Sequence, residues 1–273
     1  MKNKLRKLKF AQNILPRFAY KMALELFFTP VSFPTTEEEF DYKRDLPIHR
    51  DLVKDKRITT YLGGAPPFKV LLVHGWSGRA SQFLHIAEGL KKAGISYISF
   101  TAPAHGTSSD KRTHMLEFAE CIEHLNRMYG PFDSIIGHSL GGTAIMNSMT
   151  LGVKTNNVVL IGSHATVSQT IEDFASKFGL NKTIKAKLFK HLQVNYHKDF
   201  EKYGIERLAK EHDVKALVVH DEEDNECNFS NAEEITRAFK KAELFKTSGL
   251  GHTRILANKD VVNKIVEFIK SNE

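Results

Sequence analysis

One serine of the chain lies in a sequence setting that favours nucleophilic chemistry. Positions 137–142 read GHSLGG, which places Ser139 at the centre of a G-x-S-x-G pattern. An apolar run of strand type precedes this pattern, and a run of helix type follows it. Because a sharp turn from strand to helix requires small residues beside the serine, Gly137 and Gly141 fit such a turn. The turn presents the hydroxyl at a helix N-terminus, where backbone N–H groups face a developing anion. The pattern predicts a nucleophile elbow.

Two later segments carry side chains that can assist such a serine. The acids Asp221, Glu223 and Asp224 follow a strand-like run that ends at His220. His252 lies in the segment GLGHT, just past the last strand-like run. In acyl transfer by a serine, an imidazole takes the proton of the serine hydroxyl, and a carboxylate orients that imidazole. The chain order of serine, acid and histidine differs from both serine-protease orders.

Alternating strand and helix patterns from about residue 57 onward are expected to position these side chains. Runs such as 70–73 and 158–161 are continuously apolar, which is typical of strands buried on both faces of a parallel sheet. The strand candidates are 57–62, 68–74, 95–101, 133–138, 157–162, 215–221 and 242–247. The helix candidates are 79–93, 114–129, 140–151, 230–240 and 259–271. This alternation predicts an α/β fold with a doubly wound, mostly parallel sheet.

A long segment of 46 residues, 166–211, interrupts the alternation between two strand candidates, where one helix would suffice. Aromatic residues, among them Phe174 and Phe178, alternate with lysines there, which indicates several short helices. Insertions near the carboxyl edge of a sheet often cover a site. We therefore predict a helical cap, or lid, over the serine. The alternative is a helical excursion without that role.

These features resemble the α/β-hydrolase superfamily, and the resemblance covers roughly residues 57–273. The segment LLVHGW, which ends at Trp76, resembles the oxyanion loop of that family. The resemblance implies that the backbone N–H groups of Trp76 and Leu140 bind the oxyanion. The segment APAHGTS resembles a structural loop of the family, in which we expect His105 to be hydrogen-bonded internally.

The resemblance also implies a catalytic triad. Ser139 is its nucleophile, His252 its base and Asp224 the acid that orients the base. Asp221 stands where the family pattern has glycine, and Asp221 and Glu223 remain alternatives for the acid. The expected substrate pocket is lined by His74, Gly75, His138, Phe174 and Phe178. For His74 and His138 a second interpretation is open, in which they fix the geometry of their turns.

The function that this resemblance implies is hydrolysis of a carboxylic ester through an acyl-enzyme on the serine. The aromatic insertion favours an apolar acyl group. Acyl transfer, thioester hydrolysis and C–C hydrolysis on the same triad are alternatives, as is a non-catalytic receptor of the same fold. The mechanism requires no cofactor and no metal. The sequence contains no H-E-x-x-H, C-x-x-C or phosphate-loop motif.

The charge of the chain is unevenly distributed. Of the 39 basic residues, seven lie in residues 1–21, which contain no acid; the remaining 252 residues hold 32 of each sign. A nucleic-acid enzyme spreads basic residues along a binding face, so we expect a small-molecule ester and no nucleic acid as partner. The two cysteines, Cys121 and Cys227, exclude a disulfide scaffold and fit reduced thiols in a cytoplasmic protein.

The N-terminal arm has the pattern of an amphipathic helix. On one helix Leu5, Leu8, Leu15, Phe18, Met22 and Leu26 would share a face, and Pro16 is expected to kink or split that helix. Arg17, Lys21 and Glu25 interrupt the apolar residues, so we expect no membrane span here. Residues 1–21 are predicted either to contact an anionic membrane peripherally or to pack on the body. We divide the chain into this arm with an irregular connection, 1–56, and a hydrolase domain, 57–273, that carries the insertion.

Overall fold

The architecture is a central sheet with helices on both faces. The computed structural model describes residues 2–271, and their side chains from residue 6 onward. Its strands are β1 (Ile48–Val53), β2 (Lys56–Gly63), β3 (Val70–Val73), β4 (Tyr97–Thr101), β5 (Ser134–His138), β6 (Asn157–Ile161), β7 (Lys215–Asp221) and β8 (Lys241–Thr247). They form one eight-stranded sheet in the order β1-β2-β4-β3-β5-β6-β7-β8. Strands β3 to β8 are parallel to their neighbours among themselves, whereas β2 is antiparallel to β1 and β4. The predicted mostly parallel α/β sheet is confirmed.

The helices alternate with the strands from β3 onward. They are α1 (Lys2–Ile14), α2 (Pro16–Phe28), α3 (Glu37–Arg44), α4 (Leu84–Lys92), α5 (Met115–Tyr129), α6 (Leu140–Met149), α7 (Val167–Phe178), α8 (Lys182–Asn195), α9 (Ile205–Glu211), α10 (Ser230–Ala238), α11 (Gly251–Arg254) and α12 (Lys259–Lys270). Short 3₁₀ turns lie at Ala80–Phe83, Phe200–Tyr203 and Ile255–Ala257.

The alternation of side chains along the strands divides the core into two layers. Leu71 and Val73 of β3 face one layer, which α5, α6, α9 and α10 complete. Val70 and Leu72 face the other, which α4 and α12 complete. All four residues are fully buried, because each face of the strand is covered by helices. This burial fixes β3 and β5 at the centre of the sheet, and with them the turns at their carboxyl ends.

The irregular connection predicted between the arm and residue 57 is wrong in part, because it contains α3 and β1. Thr36 caps α3 through a capping box with Glu39, a local pattern that starts a helix. The strand β1 has mostly exposed side chains, since it pairs only with β2 at the edge of the sheet. Such a strand lacks the apolar alternation by which strands are recognised. The proposed division of the chain at residue 56 stays a prediction.

The insertion at 166–211 is helical, as α7, α8, α9 and one 3₁₀ turn, and the N-terminal helices pack against it. Phe27 of α2 meets Phe174 of α7 edge to face, with ring centroids 4.9 Å apart, and Phe28 stacks on Tyr196 at 6.0 Å. Gln12 of α1 donates to the Gly179 carbonyl at 3.0 Å. The arm therefore shares a small apolar core with the insertion.

The arm itself is split at Pro16, as predicted: α1 ends at Ile14 and α2 begins at Pro16. The single apolar face expected from the sequence divides at this turn. Leu8 is fully buried, whereas Leu15 and Phe18 are more than half exposed. Leu5 lies outside the residues whose side chains are described. No helix in the described part of the chain is both long and apolar enough to cross a membrane.

The core of the insertion yields a stability prediction. Leu188 of α8 is fully buried among Phe28, Ile171 and Leu192. We expect Leu188→Ala to lower the free energy of unfolding by about 2–5 kcal/mol, because it leaves a cavity. Val194 lies on the same helix and is 72% exposed, so Val194→Ala should change that free energy by less than about 0.5 kcal/mol. Urea denaturation followed by circular dichroism measures both. Equal effects of the two substitutions would contradict the packing described for α8.

Candidate active site

Ser139 lies on a tight turn between β5 and α6. Its backbone has φ 53° and ψ −120°, a strained conformation for a residue with a side chain. Its N–H donates to the Ile161 carbonyl at 2.8 Å, and its own carbonyl accepts from Ser163 Oγ at 2.9 Å. These bonds hold the turn to the end of the neighbouring strand β6. The strand, turn and helix predicted around the serine are all present.

The glycines around Ser139 are required by close approaches of the backbone. A Cβ at Gly141 would overlap the Val73 carbonyl oxygen, and one at Gly142 would overlap Ser163 Oγ. A Cβ at Gly75 would lie 2.9 Å from the Cβ of Ser139. The first turn of α6 therefore packs on the ends of β3 and β6, and the loop after β3 lies against the serine.

An imidazole and a carboxylate meet at the ends of β7 and β8. His252 Nδ1 donates to Asp224 Oδ2 at 2.7 Å. Asp224 Oδ1 accepts from the backbone N–H groups of Glu226 at 2.8 Å and Cys227 at 3.0 Å. Burial acts to raise the pKa of Asp224, but these hydrogen bonds and the His252 ring outweigh it and lower that pKa. Because the ionised carboxylate accepts from Nδ1, His252 keeps its Nε2 lone pair available as a base.

Gly162 at the end of β6 leaves room for this pair. It has a positive φ of 57°, and a Cβ there would lie 3.3 Å from His252 Nδ1 and 3.4 Å from Asp224 Oδ2. The same strand ends at Ile161, which receives the Ser139 N–H bond. The serine and the histidine–aspartate pair thus border the same strand end.

The other two acids considered from the sequence accept hydrogen bonds from residues other than His252. Asp221 Oδ2 accepts from Thr247 Oγ1 at 2.7 Å and from the Leu250 N–H at 3.0 Å. Glu223 is exposed and accepts from Ser248 Oγ at 2.9 Å. Burial acts to raise the pKa of Asp221, and its hydrogen bonds, that from Thr247 foremost, lower it overall. Asp221 thus braces the loop that carries His252, a role that the sequence reasoning missed.

Two buried histidines fix the loop after β3. His74 donates from Nδ1 to the Gly75 carbonyl at 2.7 Å and accepts at Nε2 from the Ala102 N–H at 3.0 Å. His105 donates from Nδ1 to the Pro103 carbonyl at 2.9 Å and accepts at Nε2 from the Ser77 N–H, also at 2.9 Å. Burial lowers the pKa of His105 to about 4, so it stays neutral. His105 is bonded internally, as expected; His74, 1% exposed, serves the turn and not an open pocket.

The backbone N–H groups of Trp76 and Leu140 are the donors implied for an oxyanion. Trp76 follows Gly75, which lies against Ser139, and Leu140 begins α6 directly after the serine. Within the described residues, neither N–H has a hydrogen-bond partner in the protein. The Trp76 ring packs edge to face on His105, with centroids 5.5 Å apart. Both N–H groups are therefore available to a ligand beside Ser139.

The predicted pocket residues fall into two groups. Gly75 and His138 adjoin the serine, and His138 donates from Nε2 to the His252 carbonyl at 2.8 Å. Burial, followed by the nearby His252, lowers the pKa of His138 to about 3. Phe174 and Phe178 lie in α7, 4.6 Å apart between ring centroids, and they are partly exposed. His138 thus positions the backbone of His252, and the two phenylalanines belong to the insertion.

A surface cavity of about 520 Å³ lies outside this site, within the insertion, between α9 and the start of α7. Its lining includes the charged side chains of Glu201, Glu206, Arg207 and Lys210. Such a lining does not suit an apolar acyl chain. Within residues 2–271, no group of three His, Cys, Asp or Glu side chains is arranged to hold a metal ion.

Residues 31–39 of the N-terminal segment hold the loop after β3 in place. Arg79 donates to both oxygens of Glu39, at 2.8 Å and 2.6 Å, and to the carbonyls of Phe33 and Pro34. The Val31 N–H donates to Ser77 Oγ at 2.9 Å. Nothing in the sequence pattern pairs residues 31–39 with Arg79, so this contact was missed. The loop that carries the Trp76 N–H is therefore held by residues 31–39 and by His105.

The buried Glu39–Arg79 pair predicts a pH-dependent stability. Burial acts to raise the pKa of Glu39, but hydrogen bonds from Arg79, the Thr36 backbone and Ser81 hold it at about 2, below the ordinary 4.5. We expect Glu39→Gln to lower the free energy of unfolding by about 3 kcal/mol near neutral pH, because Arg79 is left unpaired. A depressed pKa gives stability above the ordinary value that is lost as the pH falls through the folded value. The difference from wild type should therefore shrink between pH 4.5 and 2.

The control for this measurement is Glu38→Gln, at an exposed neighbour on the same helix. It should leave the denaturation midpoint unchanged at every pH. A constant difference between Glu39→Gln and wild type across that pH range would show that the ion pair does not cause the loss.

Comparisons with known proteins agree with the fold described above. A model described as the alpha/beta hydrolase family matches residues 70–199, and one described as TAP-like protein matches residues 198–273. Monoacylglycerol lipase from Mycolicibacterium smegmatis is 28% identical over 81 residues, 27% of this chain and 29% of that protein. The sn-1-specific diacylglycerol lipase ABHD11 from Xenopus tropicalis is 33% identical over 101 residues, 36% of this chain and 32% of that protein. The chain thus spans less than a third of the length of these two relatives.

Solved structures extend the similarity to nearly the whole chain. A membrane phospholipase A, described as a bacterial virulence factor, superposes with a TM-score of 0.67 at 14% identity and covers 99% of both chains. The esterase from Exiguobacterium antarcticum superposes with a TM-score of 0.62 at 18% identity, over 81% of this chain and 98% of its own. At such identities the likeness concerns the fold. With two family models spanning residue 70 to the end and the sheet order above, the chain belongs to the α/β-hydrolase superfamily.

Proposed function

We propose that this protein is a serine hydrolase that cleaves a carboxylic ester through an acyl-enzyme on Ser139. The observation that carries the proposal is the 2.7 Å hydrogen bond from His252 Nδ1 to the buried Asp224 carboxylate, at the strand end that also holds the Ser139 turn. An imidazole oriented in this way is a general base for a neighbouring hydroxyl. The lipases among the relatives support the class of reaction.

The chemistry proceeds in two halves. His252 Nε2 takes the Ser139 proton while Oγ attacks the ester carbonyl carbon, and the Trp76 and Leu140 N–H groups bind the resulting oxyanion. Collapse of this intermediate breaks the bond to the alcohol oxygen, which leaves with the proton from His252. Water then attacks the acyl-enzyme with His252 again as base, and the acid product and free Ser139 result. Asp224 stabilises the imidazolium in both halves.

The acyl group that fits best is apolar. The insertion presents partly exposed aromatic rings at Phe174 and Phe178, and Phe27 of α2 joins them. Two relatives are named as lipases of monoacylglycerol and diacylglycerol. We propose that the insertion, together with α2, acts as the lid over the serine and receives the acyl chain of a lipid-type ester.

Removing the nucleophile tests the proposal. We expect wild type to hydrolyse p-nitrophenyl esters, and Ser139→Ala to lower kcat at least about 10³-fold, because the step through the acyl-enzyme is lost. Ser176→Ala, at an exposed serine of α7, should retain wild-type turnover. A series of esters from acetate to palmitate then reports the preferred chain length. Wild-type turnover by Ser139→Ala would overturn the assignment, and an inactive wild type that still binds the esters would favour the receptor.

A second set of variants separates the roles of the three acids. Asp224→Asn should lower kcat by about 10⁴-fold, because an amide stabilises the wrong tautomer of His252. Asp221→Asn should lower kcat by about tenfold and also lower Tm, because it loosens the loop that holds His252 without removing its carboxylate partner. Glu223→Gln should behave as wild type. The triad acid is misassigned if Asp221→Asn costs more kcat than Asp224→Asn.

A further inference from the structure

The turn between α1 and α2 exposes a cluster of large apolar side chains. Phe10 is 71% exposed, Ile14 60%, Leu15 59% and Phe18 53%. All four lie within nine residues around the helix break at Pro16. Single exposed apolar residues are common on protein surfaces, but a group of four at one turn marks an interaction site. We call these four residues the hairpin tip.

The hairpin tip is held away from the body by the buried side of the same two helices. Leu8 and Ala11 of α1 and Ala19 and Ala23 of α2 are buried against Ile184 of α8. Gln12 adds hydrogen bonds to the backbone of Gly179 and Asn181. The two helices are therefore packed on the insertion, and the tip is exposed although both helices are held in place.

The charged residues of α1 and α2 up to residue 21 have a single sign. Five basic residues with described side chains lie in these two helices up to residue 21: Arg6, Lys7, Lys9, Arg17 and Lys21. All five are exposed, and among the described residues none has a carboxylate within ion-pair distance. On the neighbouring insertion, by contrast, Lys177 pairs with Glu226 and Lys185 pairs with Glu172. The basic residues of the hairpin are thus available to an anionic partner.

We propose that the hairpin tip docks on the surface of an anionic lipid bilayer. The four apolar side chains enter the interface between headgroups and acyl chains, and the five basic side chains bind the phosphates above it. A second copy of this chain is a poorer occupant, because two such tips would bring two sets of unpaired basic residues together. The proposal goes beyond ester hydrolysis and does not depend on it.

Docking through the tip would set the distance between the bilayer and the insertion. Helix α2 has 13 residues and is therefore about 20 Å long. Its first turn carries Phe18 of the tip, and its last turn carries Phe27, which packs on Phe174 of α7. The same rigid helix thus joins the membrane-binding end to the proposed lid.

Flotation with vesicles tests the proposal on the full chain. Wild type should float with vesicles of equal parts phosphatidylcholine and phosphatidylglycerol, less so at high salt, and not with phosphatidylcholine alone. The tip variant Phe10→Ser/Ile14→Ser/Leu15→Ser/Phe18→Ser should bind the anionic vesicles at least about tenfold more weakly. A charge variant, Lys7→Glu/Arg17→Glu/Lys21→Glu, should lose as much.

A matched control replaces four apolar residues that are exposed elsewhere, Leu52, Met128, Leu151 and Val194, by serine, and it should float as wild type does. A native circular dichroism spectrum shows that each variant is folded. Failure of wild type to float, or equal flotation of tip variant and control, would overturn the proposal. A dimer in gel filtration that the tip variant abolishes would also overturn it, in favour of a second copy.

Discussion

The hydrogen bond between His252 and Asp224 depends on the order of the strands in the sheet. Asp224 follows β7 and His252 follows its neighbour β8, whereas Ser139 follows β5, so β6 separates the serine from the pair. Parallel strands bring all these loops to the same edge. A side chain on the residue that follows β6 would crowd the pair, and that residue is Gly162. The residues of the site thus follow three different strands, and the absence of a side chain at Gly162 leaves space for the histidine–aspartate pair.

Three buried histidines hold the loops around Ser139. His74, His105 and His138 each have a pKa below the ordinary value, chiefly because they are buried. A neutral imidazole has one donor and one acceptor, and His74 and His105 use both to join neighbouring backbone segments. Because these rings do not titrate near neutral pH, they hold the loops in one geometry over the range in which a serine hydrolase operates. The sequence contains 13 histidines, and most of those near the site serve structure.

Features encoded locally were predictable from the sequence, and features that join distant segments were not. The apolar strands, the turn at Ser139 and the break at Pro16 each follow from a few adjacent residues. The edge strand β1 was missed because its exposed side chains carry no alternation. The contacts of Glu39 with Arg79 and of Phe27 with Phe174 link residues 40 or more positions apart by charge and shape, for which one sequence offers no signal. The role of Asp221 was hidden for a related reason, since three clustered acids look alike until their partners are known.

The bond from Gln12 to Gly179 joins residues 167 positions apart, and this separation has a consequence for synthesis on the ribosome. At ordinary translation rates the partner of α1 and α2 emerges on the order of ten seconds after them. During that interval the growing chain displays two apolar, basic helices that have nothing to fold against. The apolar and basic side chains of α1 and α2 are therefore exposed on the growing chain until α8 has been made.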